Sequence, residues 1–300
     1  KGETLWAPDL GKTVYTVEVP ATGRYAMTVD YYPCEGNGSN IERIFILDGR
    51  VPFKEARYIN FTRVWADRED ENYNRIERTF KKDFNKNEMR PIKYEKPEWR
   101  SEEIYDSESF FSSPMQFYLE KGTHTIAFEA ACEPLQTSEI RLHPASEYIS
   151  YKEYSAKYAD KAAPTQTDVI YINAETPVAT SEQVLYAMND RTSGITEPQS
   201  TSATLLNTIG GNGGDKWKIS GQWIKYEFDV EKEGMYDIVL RFKQTVNQGL
   251  FSSRALKIDG DYPFEEAKQL QFQYGSDWQV DTLNDGNTHF SFYFDNIILF

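Results

Sequence analysis

The chain has 300 residues, 39% of them hydrophobic and 15% aromatic, enough for about two domains with real cores. Asp and Glu outnumber Lys and Arg by 47 to 33, a formal net charge of -14, which repels phosphate and sets aside nucleic acid and anionic membranes as partners. No run approaches the ~18 apolar residues of a membrane span.

In chain order, the first apolar pattern alternates with a period of two: Tyr15, Val17 and Val19, then Tyr25, Met27, Val29 and Tyr31. Alternation is the signature of strands, whose successive side chains point to opposite faces. Pro20-Ala21-Thr22-Gly23 reads as the hairpin turn between them. A third strand over 44–47 ends at the turn dipeptide Asp48-Gly49. Residues 66–110 are highly charged and break the pattern, which predicts a long surface insertion, a lid or flank of a site. Late strands follow at 115–119, 124–130 and 139–142. Tyr148, Tyr151, Tyr154 and Tyr158 then recur at helical spacing. They predict a short helix within 146–163 that docks its tyrosine face onto a module, followed by a Pro/Thr linker at 163–168.

The pattern then restarts. Residues 17–61 lie over 228–272 without a gap at an offset of 211, with 12 of 45 positions identical. Among them are Gly23/Gly234, Tyr25/Tyr236, Arg43/Arg254, Asp48/Asp259, Gly49/Gly260, Phe53/Phe264 and Ala56/Ala267. Duplication explains this; chance does not. The second copy has runs at 224–230 and 236–242, a third strand at 255–258, and a short 275–287 in place of the charged insertion. Many short strands with regular turns predict an all-β fold of two β-sandwich, jelly-roll modules joined by a short helical linker. The boundaries are 1–145, 146–167 and 168–300.

Cys34 and Cys132 are the only cysteines, both in copy one. Two unpaired thiols and a loop-to-strand disulfide both fit, the latter in an extracellular setting. No leader precedes Lys1, and the chain opens inside a module, which reads as an N-terminus removed from a longer chain. The three histidines, His124, His143 and His289, have no zinc spacing. No G-x-S-x-G, H-E-x-x-H or phosphate-cradling loop occurs, and the glycines at 210–214 read as a turn before Trp217.

Glu175 in YINAE, the Gly-rich NTIGGNGG, Trp223 in GQWIKYEFDV and the strand GMYDIVLRF occur in an order that resembles family 35 and family 6 carbohydrate-binding modules, galactose-binding-like β-sandwiches. The strings VPFKEARYINFTRVW, PEWR, FYLEKGTHTI, FSSRALKIDGDYPFEEA and YGSDWQV are similar to the N-terminal region of large Gram-positive (Firmicutes) extracellular solute-binding lipoproteins of sugar ABC transporters. That resemblance implies an extracellular, surface-anchored protein that captures oligo- or polysaccharide. Its partners would be a downstream solute-binding domain and the ABC permease. The resemblance to carbohydrate-binding modules implies in addition a structural Ca²⁺ held by an opening-strand Glu and a final-strand Asp, parts that fall to Glu175 and Asp295; calcium asks for six to eight oxygens.

A sugar presents apolar C–H faces and many hydroxyls, so its site wants an aromatic plate beside planar hydrogen-bonding groups. In copy two Trp278, Asp277, Arg254 and Asn247 have that character; in copy one Trp65, near the equivalent place, with Arg43 and Asn40. A tryptophan closing the sandwich edge and arginines in scaffold salt bridges are the competing readings. Trp223 alternates with core residues and reads as core. The resulting expectation is non-catalytic carbohydrate binding. The alternatives are structural spacer or docking modules, and an accessory fragment of a glycoside hydrolase, which would need two carboxyls about 5–9.5 Å apart.

Overall fold

The computed structural model describes residues 3–108, 110–111, 113–161, 169–211, 214–295 and 298–299. The linker expected at 163–168 and part of the Gly-rich stretch lie outside the described residues. The fold is all-β, with one short α-helix among the described residues. The chain divides into two compact units, Lys1–Trp65 with Glu95–Ser146, and Ala66–Tyr94 with Glu147–Phe300.

The first unit is a sandwich of two antiparallel sheets. One has the order Leu5–Ala7, Leu135–His143, Gly23–Pro33, Arg100–Glu103, with Phe117–Leu119 also on Gly23–Pro33. The other runs Lys12–Val19, Gly122–Cys132, Ile41–Leu47, Ile59–Phe61. The alternation read from the sequence sets which faces meet: Met27, Val29 and Tyr31 bury against Phe45, Phe117, Ile126 and Phe128. Cys34 and Cys132 are unpaired thiols, both half-buried.

The second unit repeats this plan in shorter ladders around Phe264, Phe290, Phe292, Leu270 and Ala267. The duplication holds down to hydrogen bonds. Ile41 pairs with Phe61 and Arg43 with Ile59; Ser252 pairs with Phe272 and Arg254 with Leu270. The 3₁₀ turns Lys54–Arg57 and Glu265–Lys268 fall at the same offset, each burying its alanine, Ala56 or Ala267. The Tyr25 hydroxyl donates to Ala21 O at 2.7 Å, and the Tyr236 hydroxyl to Lys232 O at 2.7 Å. In each copy the Asp-Gly turn puts both residues at positive φ: 47° and 80° at Asp48-Gly49, 51° and 88° at Asp259-Gly260. Two left-handed residues make the type I′ geometry that matches strand twist, so the dipeptide is retained for backbone reasons. One boundary differs from expectation: the third strand of copy two is Phe251–Arg254, ahead of 255–258.

The helix Tyr151–Lys157 starts at a capping box, Ser150 with Glu153. Seven residues do not hold a helix alone. Its tyrosines attach it, as the spacing predicted: Tyr151 and Tyr154 pack on Phe264, and Tyr158 stacks on Tyr293 at 4.3 Å. Their hydroxyls also accept strand-edge N–H groups, Tyr151 from Ser291 at 3.0 Å and Tyr154 from Tyr293 at 2.8 Å. These are alternate residues of Ser291–Phe294, whose other edge pairs with Gly234–Asp237. The helix therefore closes an open strand edge.

The charged stretch is the main departure from the sequence reading. Arg100–Glu103, inside the expected insertion, is a sheet strand of the first unit. Residues 66–94 are instead part of the second unit. There Tyr73 and Phe80 form a small core with Ala187 and Leu206. Asn87 Oδ1 accepts Thr204 N at 2.7 Å, and Glu88 Oε2 accepts Leu206 N at 2.8 Å. A segment with so many charges reads as solvated; here its polar and charged side chains bond the backbone of a partner segment, which periodicity does not reveal.

Candidate functional site

Three loops of the second unit converge at the end of the strands Val239–Phe242 and Gln279–Thr282. Phe242 pairs with Gln279, so the next residues outward, Lys243 and Trp278, face each other across the strand ends. Asp190, only 1% exposed, lies between them: its Oδ2 accepts Trp278 Nε1 at 2.8 Å and Lys243 Nζ at 3.2 Å. Its Oδ1 accepts the Thr192 amide at 2.8 Å and hydroxyl at 2.7 Å. Asn207 fixes the Asp190 backbone from both sides, donating Nδ2 to its carbonyl and accepting its N–H at 2.7 Å.

Asp277 divides its carboxylate between the Trp278 amide, 2.7 Å, and the Ser193 hydroxyl, 3.0 Å. Gln244, 6% exposed, accepts Val246 N and Asn247 N, and its carbonyl accepts Gly275 N. It thereby links the Asn247 loop to the Trp278 loop. The result is an indole fixed in azimuth, half-buried, with Asp277 exposed next to it and Asn247 exposed in the loop that Gln244 ties to it. Such a plate gives a ligand ring a preformed surface with little side-chain entropy left to lose.

Burial pushes the Asp190 carboxyl up, but the hydrogen bonds from Thr192, Trp278 and Lys243 outweigh it and hold the group below the usual carboxylate range. Because the folded pKa lies below the unfolded one, Asp190 contributes its full stabilisation above about pH 4 and loses it as acid protonates the carboxyl. Trp278 emission is therefore expected to change below about pH 4, and Asp190→Asn to abolish that step. A step at unchanged pH in the variant contradicts the assignment.

Arg43, Arg254 and Trp65 serve the scaffold. Arg43 is 1% exposed and donates to the carbonyls of Glu42, Cys132 and Glu133 at 2.8–3.0 Å. Arg254 repeats this, donating to Ser253 O and Trp217 O at 2.7 Å and lying 4.7 Å over the Trp217 ring. Both arginines thus bond backbone carbonyls, one adjacent and the others distant in sequence, rather than carboxylates. Trp65 is 7% exposed in Trp65–Asp67. Asn40 is half-buried.

Nor do Glu175 and Asp295 fit a calcium ion. Glu175, 5% exposed, accepts Arg78 Nε at 2.5 Å, so a guanidinium already neutralises it, while Asp295 is exposed. Among the described residues no group of three or more His, Cys, Asp or Glu is arranged for a metal.

The strand registers also relocate the copy-one counterpart of Trp278. Tyr31 pairs with Arg100 as Phe242 pairs with Gln279, and Tyr31 and Phe242 are related by 211. Arg100 is therefore the equivalent of Gln279, an offset of 179, and Trp99, not Trp65, stands where Trp278 stands. The acid-Trp pairs Glu98-Trp99 and Asp277-Trp278 were the available signal. A search at constant offset passes over them because copy one carries 32 extra residues between offsets 211 and 179. Asp190 and Lys243 gave no signal at all: Lys243 lies over Tyr32, and Asp190 precedes the repeat.

No protein-family model matches the chain, and no curated protein does. Among solved structures, the chain is similar to a Paenibacillus sp. cycloisomaltooligosaccharide glucanotransferase complexed with cycloisomaltoheptaose, at 11% identity and a TM-score of 0.25. The match covers 98% of this chain and 41% of that one, so the chain spans less than half its length. A likeness of that size carries no argument about function.

Proposed function

We propose that the second unit binds carbohydrate without cleaving it, at the surface built around Trp278. The observation that carries this reading is the indole locked by the buried Asp190, with Asp277 exposed next to it and Asn247 exposed in the adjoining loop that Gln244 ties to it. An apolar plate of fixed azimuth next to acceptors and amide donors suits the C–H face and hydroxyls of a sugar ring. Asp190 is held as an anion by four donors, whereas a glycosidase acid needs a carboxyl with a raised pKa. The surface-anchored setting, with a solute-binding domain and an ABC permease as partners, rests on the sequence strings alone.

A ring stacked on the indole covers about 60 Å² of apolar surface, worth about 1.5 kcal/mol or roughly tenfold in Kd. Calorimetric titration with neutral hexasaccharides is expected to show saturable binding that Trp278→Ala weakens about tenfold or more. Unchanged affinity in the variant removes the site from Trp278.

A further inference from the structure

In the first unit the residues equivalent to Lys243 and Trp278 are Tyr32 and Trp99. Their rings lie 5.6 Å apart at 48°, both half-buried. Along Gly23–Pro33, Met27, Val29 and Tyr31 are buried in the core, so Thr28, Asp30 and Tyr32 line the opposite face of that sheet. Register places Ser101 opposite Asp30 and Glu103 opposite Thr28 on one side, with Arg141 opposite Thr28 on the other.

This face is organised. Asp30, 7% exposed, accepts both Arg141 nitrogens, Nη2 at 2.9 Å and Nη1 at 3.2 Å. The same guanidinium donates to Ser101 Oγ at 2.8 Å and Glu139 at 2.8 Å, yet its side chain remains 39% exposed. His143 Nδ1 donates to Pro144 O at 2.7 Å, and its Nε2 lies 2.8 Å from the Thr28 hydroxyl. Tyr32 to Thr28 spans about 13 Å, the length of a short oligosaccharide.

We infer that this outer sheet face, with Trp99 and Tyr32 at one end and the Arg141–Asp30–Ser101 group along it, is a second carbohydrate-binding surface, for a neutral oligosaccharide. The inference takes its ligand class from the reading of the Trp278 site. The aromatic pair supplies the stacking surface, and the oriented guanidinium, hydroxyls and carboxylates supply donors and acceptors in fixed directions. Asp30, Glu103 and Glu139 outnumber Arg141 on the face, which turns away acidic sugars. The equivalent face of the second unit is different: Val239, Arg241 and Val280 replace Thr28, Asp30 and Ser101, and both valines are more than half exposed. The two copies therefore share a corner but differ along the face.

The test is an indole ¹⁵N–¹H spectrum of the full chain titrated separately with cellohexaose, maltohexaose and xylohexaose. Trp99→Phe and Trp278→Phe assign two of the six tryptophan signals. The Trp99 signal is expected to move saturably with at least one sugar, and to do so still in Trp278→Phe. Arg141→Ala should weaken the Trp99 titration about tenfold and leave that of Trp278 unchanged. Movement of the Trp278 signal alone overturns this inference and leaves the first site standing. No movement of either signal overturns both.

Discussion

Replacing Arg63 by alanine is expected to cost about 3–5 kcal/mol of stability, the largest loss for any single polar residue of the first unit. Arg63 has an exposure of 0% and spends its donors inside the sandwich. Nε donates to Ser39 O at 2.7 Å, Nη1 to Cys34 O at 2.8 Å and to Glu95 at 2.5 Å, and Nη2 to Glu133 at 2.8 Å. Glu133, 4% exposed and at φ 63°, also accepts Asn37 N. One guanidinium thus closes the 34–39 loop onto the turn after Gly122–Cys132. Without it a buried carboxylate keeps a single backbone donor, and two carbonyls lose theirs. Gly36 belongs to the same device, since a Cβ there would collide with the Glu133 carboxylate. Arg63→Lys should fall between wild type and alanine, because an ammonium cannot reproduce the fork. Urea denaturation reads both. A loss below about 1 kcal/mol for Arg63→Ala would mean that the pair is solvated.

The second large effect concerns the helix. Tyr154→Ala is expected to cost about 3–5 kcal/mol, since Tyr154 is 6% exposed and packs on both Phe264 and Tyr158. Tyr154→Phe keeps the ring and separates packing from hydrogen bonding. It leaves the Tyr293 N–H without its acceptor, at about 1–3 kcal/mol. Burial pushes the Tyr154 hydroxyl up to about 12, so it stays a neutral acceptor through the physiological range. Thermal unfolding gives the cost, and exchange of the Tyr293 amide gives the cause: it should speed up in Tyr154→Phe. Unchanged protection there would show that the helix packs on the edge without closing it.

Legibility in the sequence followed the kind of physics involved. Turns that demand positive φ, as at Asp48-Gly49 and Asp259-Gly260, and alternation that buries Met27, Val29 and Tyr31, leave direct marks on residue choice. The tyrosine stripe did too, because a helix face has a period. Buried charges leave none: Arg43, Arg63 and Glu133 look like surface residues until their partners, up to 90 positions away, are known. The charged stretch from 66 failed for the same reason, since Asn87 and Glu88 satisfy backbone groups near 205. Of the candidate site, Trp278, Asp277 and Asn247 were visible as chemistry, in two loops of the second copy. Asp190, which orients the indole, was not, and Trp99 was hidden by a change of offset that strand pairing alone corrects.

The most direct test of carbohydrate binding without cleavage joins two readings of one sample. The wild-type chain is titrated with neutral hexasaccharides by calorimetry, and the sugar is then recovered and assayed for new reducing ends. Saturable heat with the hexasaccharide returned intact is the expected result. Absence of heat with every sugar, or release of shorter products, would contradict the account.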